Sequence, residues 1–271
     1  MLSRILTKAI YDQKRSLIYW NLGTVLLVFL VMTMYPAVQE AGEGFNDLLD
    51  ALPEEMKALF YGGSSDVGIS TPAGWLNIEV YGLMLPFILI IYGIINAVNS
   101  IAGEESNGTL ELLVTTPISR VQIAIEKFLA ILLGMIVISS LYTLTVILFK
   151  NSFEMNSLQS SVIISAGFEV FTLAIGYTAI SFAIGAITGN KGLTLGLSFL
   201  IAIVSYLWNG FHKFLPDVLE STNNLSLFKY YSSIDTSNTS IDITELLVVS
   251  GLSLIVVSIS IAIFKNRDLT T

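Results

Sequence analysis

The chain has no cysteine, a single histidine and few charges: Asp, Glu, Lys and Arg together make up 13% of its 271 residues, against roughly a quarter in an ordinary soluble domain. Without cysteine there can be no disulfide, no thiolate metal site and no cysteine nucleophile. The lone His212 lies at the end of an apolar run and reads as an interfacial residue rather than a metal ligand or a base. There is no GxxxxGK[ST] phosphate loop: Lys191 follows Asn190, and no glycine-rich loop joins a strand to a helix, so ATP cannot be cradled in that way. HExxH, a nucleophile elbow and a pair of acids inside an apolar run are missing as well. The sequence therefore displays neither an active site nor an energy source of its own.

What it has instead is apolar length. Hydrophobic residues make up 54% of the chain, and six stretches are free of Asp, Glu, Lys, Arg and His: Leu17–Tyr35, Val80–Val98, Phe128–Phe149, Val170–Thr188, Leu193–Phe211 and Leu246–Phe264. At ~1.5 Å per helical residue each can cross a hydrocarbon layer ~30 Å thick, whereas buried helices of a soluble core give apolar runs of only about 10–14 residues. The expectation is an all-α integral membrane protein of six transmembrane helices forming a single domain over residues 1–271. The first run is about 19 residues long and has no small-residue cleavage site after it, so it reads as a retained anchor rather than a signal peptide.

Basic residues near span ends stay on the cytoplasmic side. With both termini inside, the inner segments hold Arg4, Lys8, Lys14, Arg15, Arg120, Lys127, Lys191, Lys265 and Arg267, while the outer ones hold Lys57, Lys150, Lys213 and Lys229. Both termini are therefore expected in the cytoplasm. The net charge of −8 comes largely from acids between the first two spans, and it argues against anionic partners such as nucleic acid.

The connecting segments carry their own patterns. In residues 1–15, Leu2, Ile5, Leu6, Ala9 and Ile10 recur at helical spacing away from most of the basic residues, which predicts an amphipathic helix lying on the inner leaflet. Residues 36–78 form the longest outer loop. There Phe45, Leu48, Leu49, Leu52, Met56, Leu59 and Phe60 predict short capping helices, Pro53 followed by Glu54 and Glu55 reads as a helix start, and Tyr61 to Gly74 reads as a returning loop. Glu169 has two readings: buried in the membrane if the fourth span begins at Ser161, interfacial if it begins at Val170, the start adopted here. Pro86 is expected to bend the second span. Small residues at Ser181, Gly185 and Gly189, and at Gly192 and Gly196, predict close packing of the fourth and fifth spans on each other or on a partner.

Residues 99–126 form the only cytoplasmic segment of any size. Leu110, Leu113, Val114 and Pro117 make an apolar strip, Glu104, Glu105 and Glu111 add charge, and a short helix parallel to the membrane is expected. Pro117 ends it, and Ser119 with Gln122 forms a capping-box pattern opening the third span. Such a helix either fills a groove on another protein or is an interfacial hairpin linking two spans.

The run from Gly103 to Ile123, with Glu104, Glu105, Gly108, Thr109, Leu110, Glu111, Leu112, Leu113, Pro117, Ser119 and Arg120, resembles the segment after the second span in the ATP-binding-cassette type-2 permease family; the stretch from Thr71 to Glu79 is also similar to that family. The resemblance implies a transport subunit that pairs with a second permease copy or a sister permease in a plasma membrane, in all expectation a prokaryotic one. It binds no cofactor itself, and its coupling helix around Thr109 to Thr116 docks on a separate ATPase that binds the ATP. Glu104, Glu105, Glu111 and Arg120 would then pair with the ATPase surface. The rival class is a non-transporting membrane scaffold or an intramembrane enzyme.

Overall fold

The computed structural model describes residues 4–42, 44, 51–53, 56, 68–214, 221–232, 234 and 243–268. The capping helices expected around Phe45, Leu48, Leu49, Leu59 and Phe60, and the helix start at Glu54 and Glu55, fall outside the described residues. Six helices are long and apolar enough to cross a membrane, and among the described residues there are no strands. The end of the bundle bearing residues 104–120 is termed its lower end, the opposite one its upper end.

The first span, α1 (Arg4–Ala41), runs upward as one helix. The N-terminal stretch is helical, as its periodicity predicts, but it is continuous with the span rather than a separate interfacial helix. The reason is packing: Ile5 and Leu6 are buried, the Tyr92 hydroxyl donates to Gln13 Oε1 at 2.9 Å, and Trp20 meets Tyr92 edge-on. Its apolar face is thus covered by protein, leaving Lys8, Lys14 and Arg15 exposed.

The second span descends in pieces. Thr71 accepts a hydrogen bond from the Gly74 N–H and opens a turn at Pro72–Leu76, so the loop expected to reach Gly74 ends at Thr71. A π-helical stretch, Asn77–Tyr81, precedes α2 (Met84–Val98), and a second one, Asn99–Gly103, follows it before a last turn at Glu104–Ser106. The break falls at Gly82–Leu83 because Pro86 has no N–H for the carbonyl of residue 82 and its ring would clash with it; Leu83 accordingly leaves helical geometry at φ −135°. Pro86 therefore sits in the first turn of α2, where the missing donor costs nothing, instead of bending its middle.

Below the bundle lies the short α3 (Thr109–Val114). Next come α4 (Arg120–Phe149) upward, α5 (Ser160–Thr188) downward, α6 (Lys191–Phe211) upward and α7 (Ile243–Asn266) downward. Helix α5 is the centre of the bundle: α2, α4, α6 and α7 all pack on it, while α1 packs on α4. Its small residues allow this closeness. Gly93 of α2 lies so near Thr178 of α5 that a methyl group there would collide with the threonine hydroxyl. Hydroxyls inside the bundle satisfy themselves on carbonyls one turn back, as Thr172 does on Phe168 and Thr178 on Ala174.

The helix of the fourth span begins at Ser160, upstream of Val170. Val162, Ile163, Ala166 and Val170 form one buried stripe, so the chain gains more by continuing the helix upward than by looping. Glu169 consequently sits within α5, half-buried, where it accepts a hydrogen bond from Ser232 at 2.9 Å. The expected small-residue packing is divided. Ser181 and Gly185 face α2 and α6, Gly189 ends α5, and Gly192 and Gly196 lie on open faces of α6. His212 lies in the turn after α6, its ring nitrogen 2.6 Å from the Asn209 carbonyl.

Candidate functional site

The lower end gathers nearly every residue that the sequence singles out. The second span stops at Ser106, and Gly108 follows in the left-handed region at φ 69°, a conformation only glycine adopts without strain. Its N–H bonds the Glu105 carbonyl at 3.0 Å, and Thr109 donates its hydroxyl to the Glu104 carbonyl at 3.1 Å. The chain thereby reverses and launches α3 under the bundle. At the far end of α3, Thr115 and Thr116 turn their hydroxyls onto the Leu112 and Leu113 carbonyls, the second of which also accepts the Thr116 N–H. Pro117 is exposed beyond it. Ser119 then caps α4 by accepting from the Gln122 N–H at 3.2 Å. Only half of the expected capping box forms, because the Gln122 side chain donates to Glu126 at 2.8 Å instead.

The faces of α3 are disposed opposite to the expectation. Leu110 is wholly buried in the hydrophobic core, Val114 packs against that core and Leu113 is half-buried. Of the strip read as a docking face, Leu110 and Val114 hold the helix to its own bundle, while Pro117 is exposed. Leu112, which sequence reasoning left off the strip, points away and is 71% exposed, with Glu111 exposed beside it. The omission has a simple origin: one-turn spacing finds an apolar face without saying what covers it.

Charges show the same internal use. Glu104 pairs with Lys127 at 2.5 Å, Glu105 pairs with Arg267, and the Arg120 guanidinium donates to the Arg267 carbonyl at 2.6 Å. Of the four charged side chains expected to meet an ATPase, three are thus engaged within the chain and Glu111 alone is left on the outward surface of α3. The Glu126 carboxylate accepts the Leu6 N–H at 3.1 Å, placing negative charge at the positive end of α1. Gly189, at φ 64°, packs so tightly that a Cβ there would strike both the Glu105 carboxylate and the Arg267 guanidinium. Asn190 then caps α6 through the Leu193 N–H at 2.9 Å.

Lys127 and Arg267 entered the sequence reading only as markers of orientation. A pairing signal was nonetheless present. Two acids at the end of the second span and bases at the start of the third and the end of the sixth fall on one side of the bundle, where burial forces them together. The result is a helix tethered mechanically: α3 hangs from the second span, and through Glu104 and Glu105 that span is clamped to α4 and α7.

No curated protein matches the sequence. The profile of the ABC-2 family transporter proteins, by contrast, matches residues 4–269. With six membrane-crossing helices and a tethered helix bearing the Gly108 to Arg120 motif, the chain belongs to that family and is a multi-pass transporter membrane subunit, the component that does not itself hydrolyse ATP.

Proposed function

We propose that the chain is the permease of an exporter in a prokaryotic plasma membrane, working as a pair with a second permease and driven by a separate ATP-binding subunit that docks on α3. The observation that carries this reading is the outward Leu112 and Glu111 on a helix whose opposite face is locked into the core. An exposed leucine on a rigid, tethered surface helix is the feature a partner groove needs. Glu104, Glu105 and Arg120 act one step behind it, passing displacement of α3 into α4 and α7. The open face of α6 at Gly192 and Gly196 supports pairing with a second permease. Copurification tests the reading: expression with its cognate ATP-binding subunit should yield a complex with ATP turnover, and the isolated chain should show background turnover only. A solitary, stable monomer with no nucleotide-binding partner would favour a scaffold or an intramembrane enzyme.

The reading also requires the lower end to be cytoplasmic. Ser106→Cys and Asn156→Cys are exposed at opposite ends of a cysteine-free chain. In intact cells an impermeant maleimide should label Asn156→Cys and spare Ser106→Cys; the reverse pattern would invert the topology.

A further inference from the structure

The lower turns of α1 carry cations that the bundle does not use. Lys14 and Arg15 are exposed, and among the described residues neither pairs with an acid. Lys14 is held in place, its ammonium 3.4 Å from the centre of the Tyr11 ring. Tyr11, Arg15, Ile18 and Leu22 recur at three- and four-residue steps and so share one stripe on the side of α1 turned away from the bundle. Tyr11, Ile18 and Leu22, with Tyr19 on the flank, are 63–73% exposed.

Depth decides what the two cations meet. The apolar run begins at Leu17, so Lys14 and Arg15 lie about 3–5 Å below it along the helix axis. A headgroup layer extends ~5–8 Å beyond the hydrocarbon on each side, which puts both cations at its level and leaves Ile18 and Leu22 among acyl chains. Lys8, ~13 Å below Leu17, lies past that layer. Asp12 reduces the local charge without cancelling it, since Lys8, Lys14 and Arg15 surround this one carboxylate in the same turns. A zwitterionic headgroup brings a further cation with its phosphate, whereas an anionic one supplies net negative charge. A second copy docked through this stripe about a two-fold axis would set Lys14 and Arg15 against their like.

We infer that the outer face of α1 binds an anionic phospholipid, its phosphate on Lys14 and Arg15 and an acyl chain along Ile18 and Leu22. Lipid binding here requires the chain's membrane nature and not a docked ATPase, so this reading and the ATPase reading fail separately. A local reporter tests it. A side chain at Gly23, beside the stripe, meets nothing within 4 Å, and the chain has no cysteine, so Gly23→Cys accepts a bimane label at a single site. The labelled full chain in phosphatidylcholine nanodiscs is quenched with mid-chain dibrominated phosphatidylglycerol or dibrominated phosphatidylcholine. The glycerol lipid should be preferred about 30-fold, the selectivity that two basic groups at a membrane surface supply. Lys14→Gln with Arg15→Gln should bring the two lipids together. Lys191→Gln with Lys265→Gln removes the same charge from other exposed places at the lower end and should leave the preference intact. All four residues are exposed, so both double variants should melt with the parent. Equal loss of preference in the two double variants would reduce the effect to net charge and overturns the inference. So does a preference that survives Lys14→Gln with Arg15→Gln, displacement of the lipid by free glycerol phosphate, or bimane shielded from both brominated lipids by a second copy.

Discussion

Leu110→Asp is expected to prevent folding, while Leu112→Asp, two residues along the same short helix, leaves folding intact and removes the ATPase. Leu110 is fully buried among the core side chains, so a carboxylate there lies in an apolar site without a partner, at a cost of ~4 kcal/mol or more. Leu112 is 71% exposed, and a charge there should change stability by no more than ~0.5 kcal/mol. In a complex, however, the same charge enters a desolvated contact, and a loss of ~2 kcal/mol, roughly 30-fold in affinity, is the expectation for a central contact residue. Detergent-solubilised yield and thermal unfolding measure the first effect; copurified ATPase and stimulated ATP turnover measure the second. Glu111→Ala should weaken association by ~1 kcal/mol or less, as an exposed charge does. Should Leu112→Asp hold its ATPase and transport normally, α3 is not the docking helix.

The second large effect is expected at the clamp between the second span and α7. Glu105 is only 4% exposed on its side chain and Arg267 14%. Arg267→Ala takes the Arg267 guanidinium away from the buried Glu105 carboxylate, and breaking a buried pair costs about 3–5 kcal/mol in comparable cases. Replacing both residues by leucine removes the stranded charge along with the bond. The double variant should therefore melt closer to the wild type than either single variant does. The measurement is thermal unfolding in detergent across the four proteins. The double variant should still show impaired coupling, since the side-chain link between the second span and α7 would be gone. Additive losses of stability would show that the pair is a surface contact without structural weight.

The membrane class, the six spans and the position of the lower-end helix are all legible in the residue order, because each rests on local properties. Runs such as Leu246–Phe264 are too long and too apolar for any other use, and a glycine before Thr109 marks a reversal that only φ > 0 permits. Span starts were less legible. Whether the fourth span begins at Ser160 or Val170 depends on what covers Val162 and Ile163, and those neighbours come from elsewhere in the chain. Pro86 announced an irregularity correctly, but where the helix breaks follows from the carbonyl four residues earlier.

By itself, then, the amino-acid order determined a membrane protein of six helices, the ATP-binding-cassette type-2 motif from Gly103 to Ile123 and the absence of a phosphate loop. Only tertiary structure decided which face of α3 is free and that Glu104 and Glu105 hold Lys127 and Arg267. The physical reason is the range of the interactions. Hydrophobic length and backbone preference act within a few residues, whereas burial and ion pairing join groups as distant in sequence as Glu105 and Arg267, and a face becomes inner or outer only when another helix covers it.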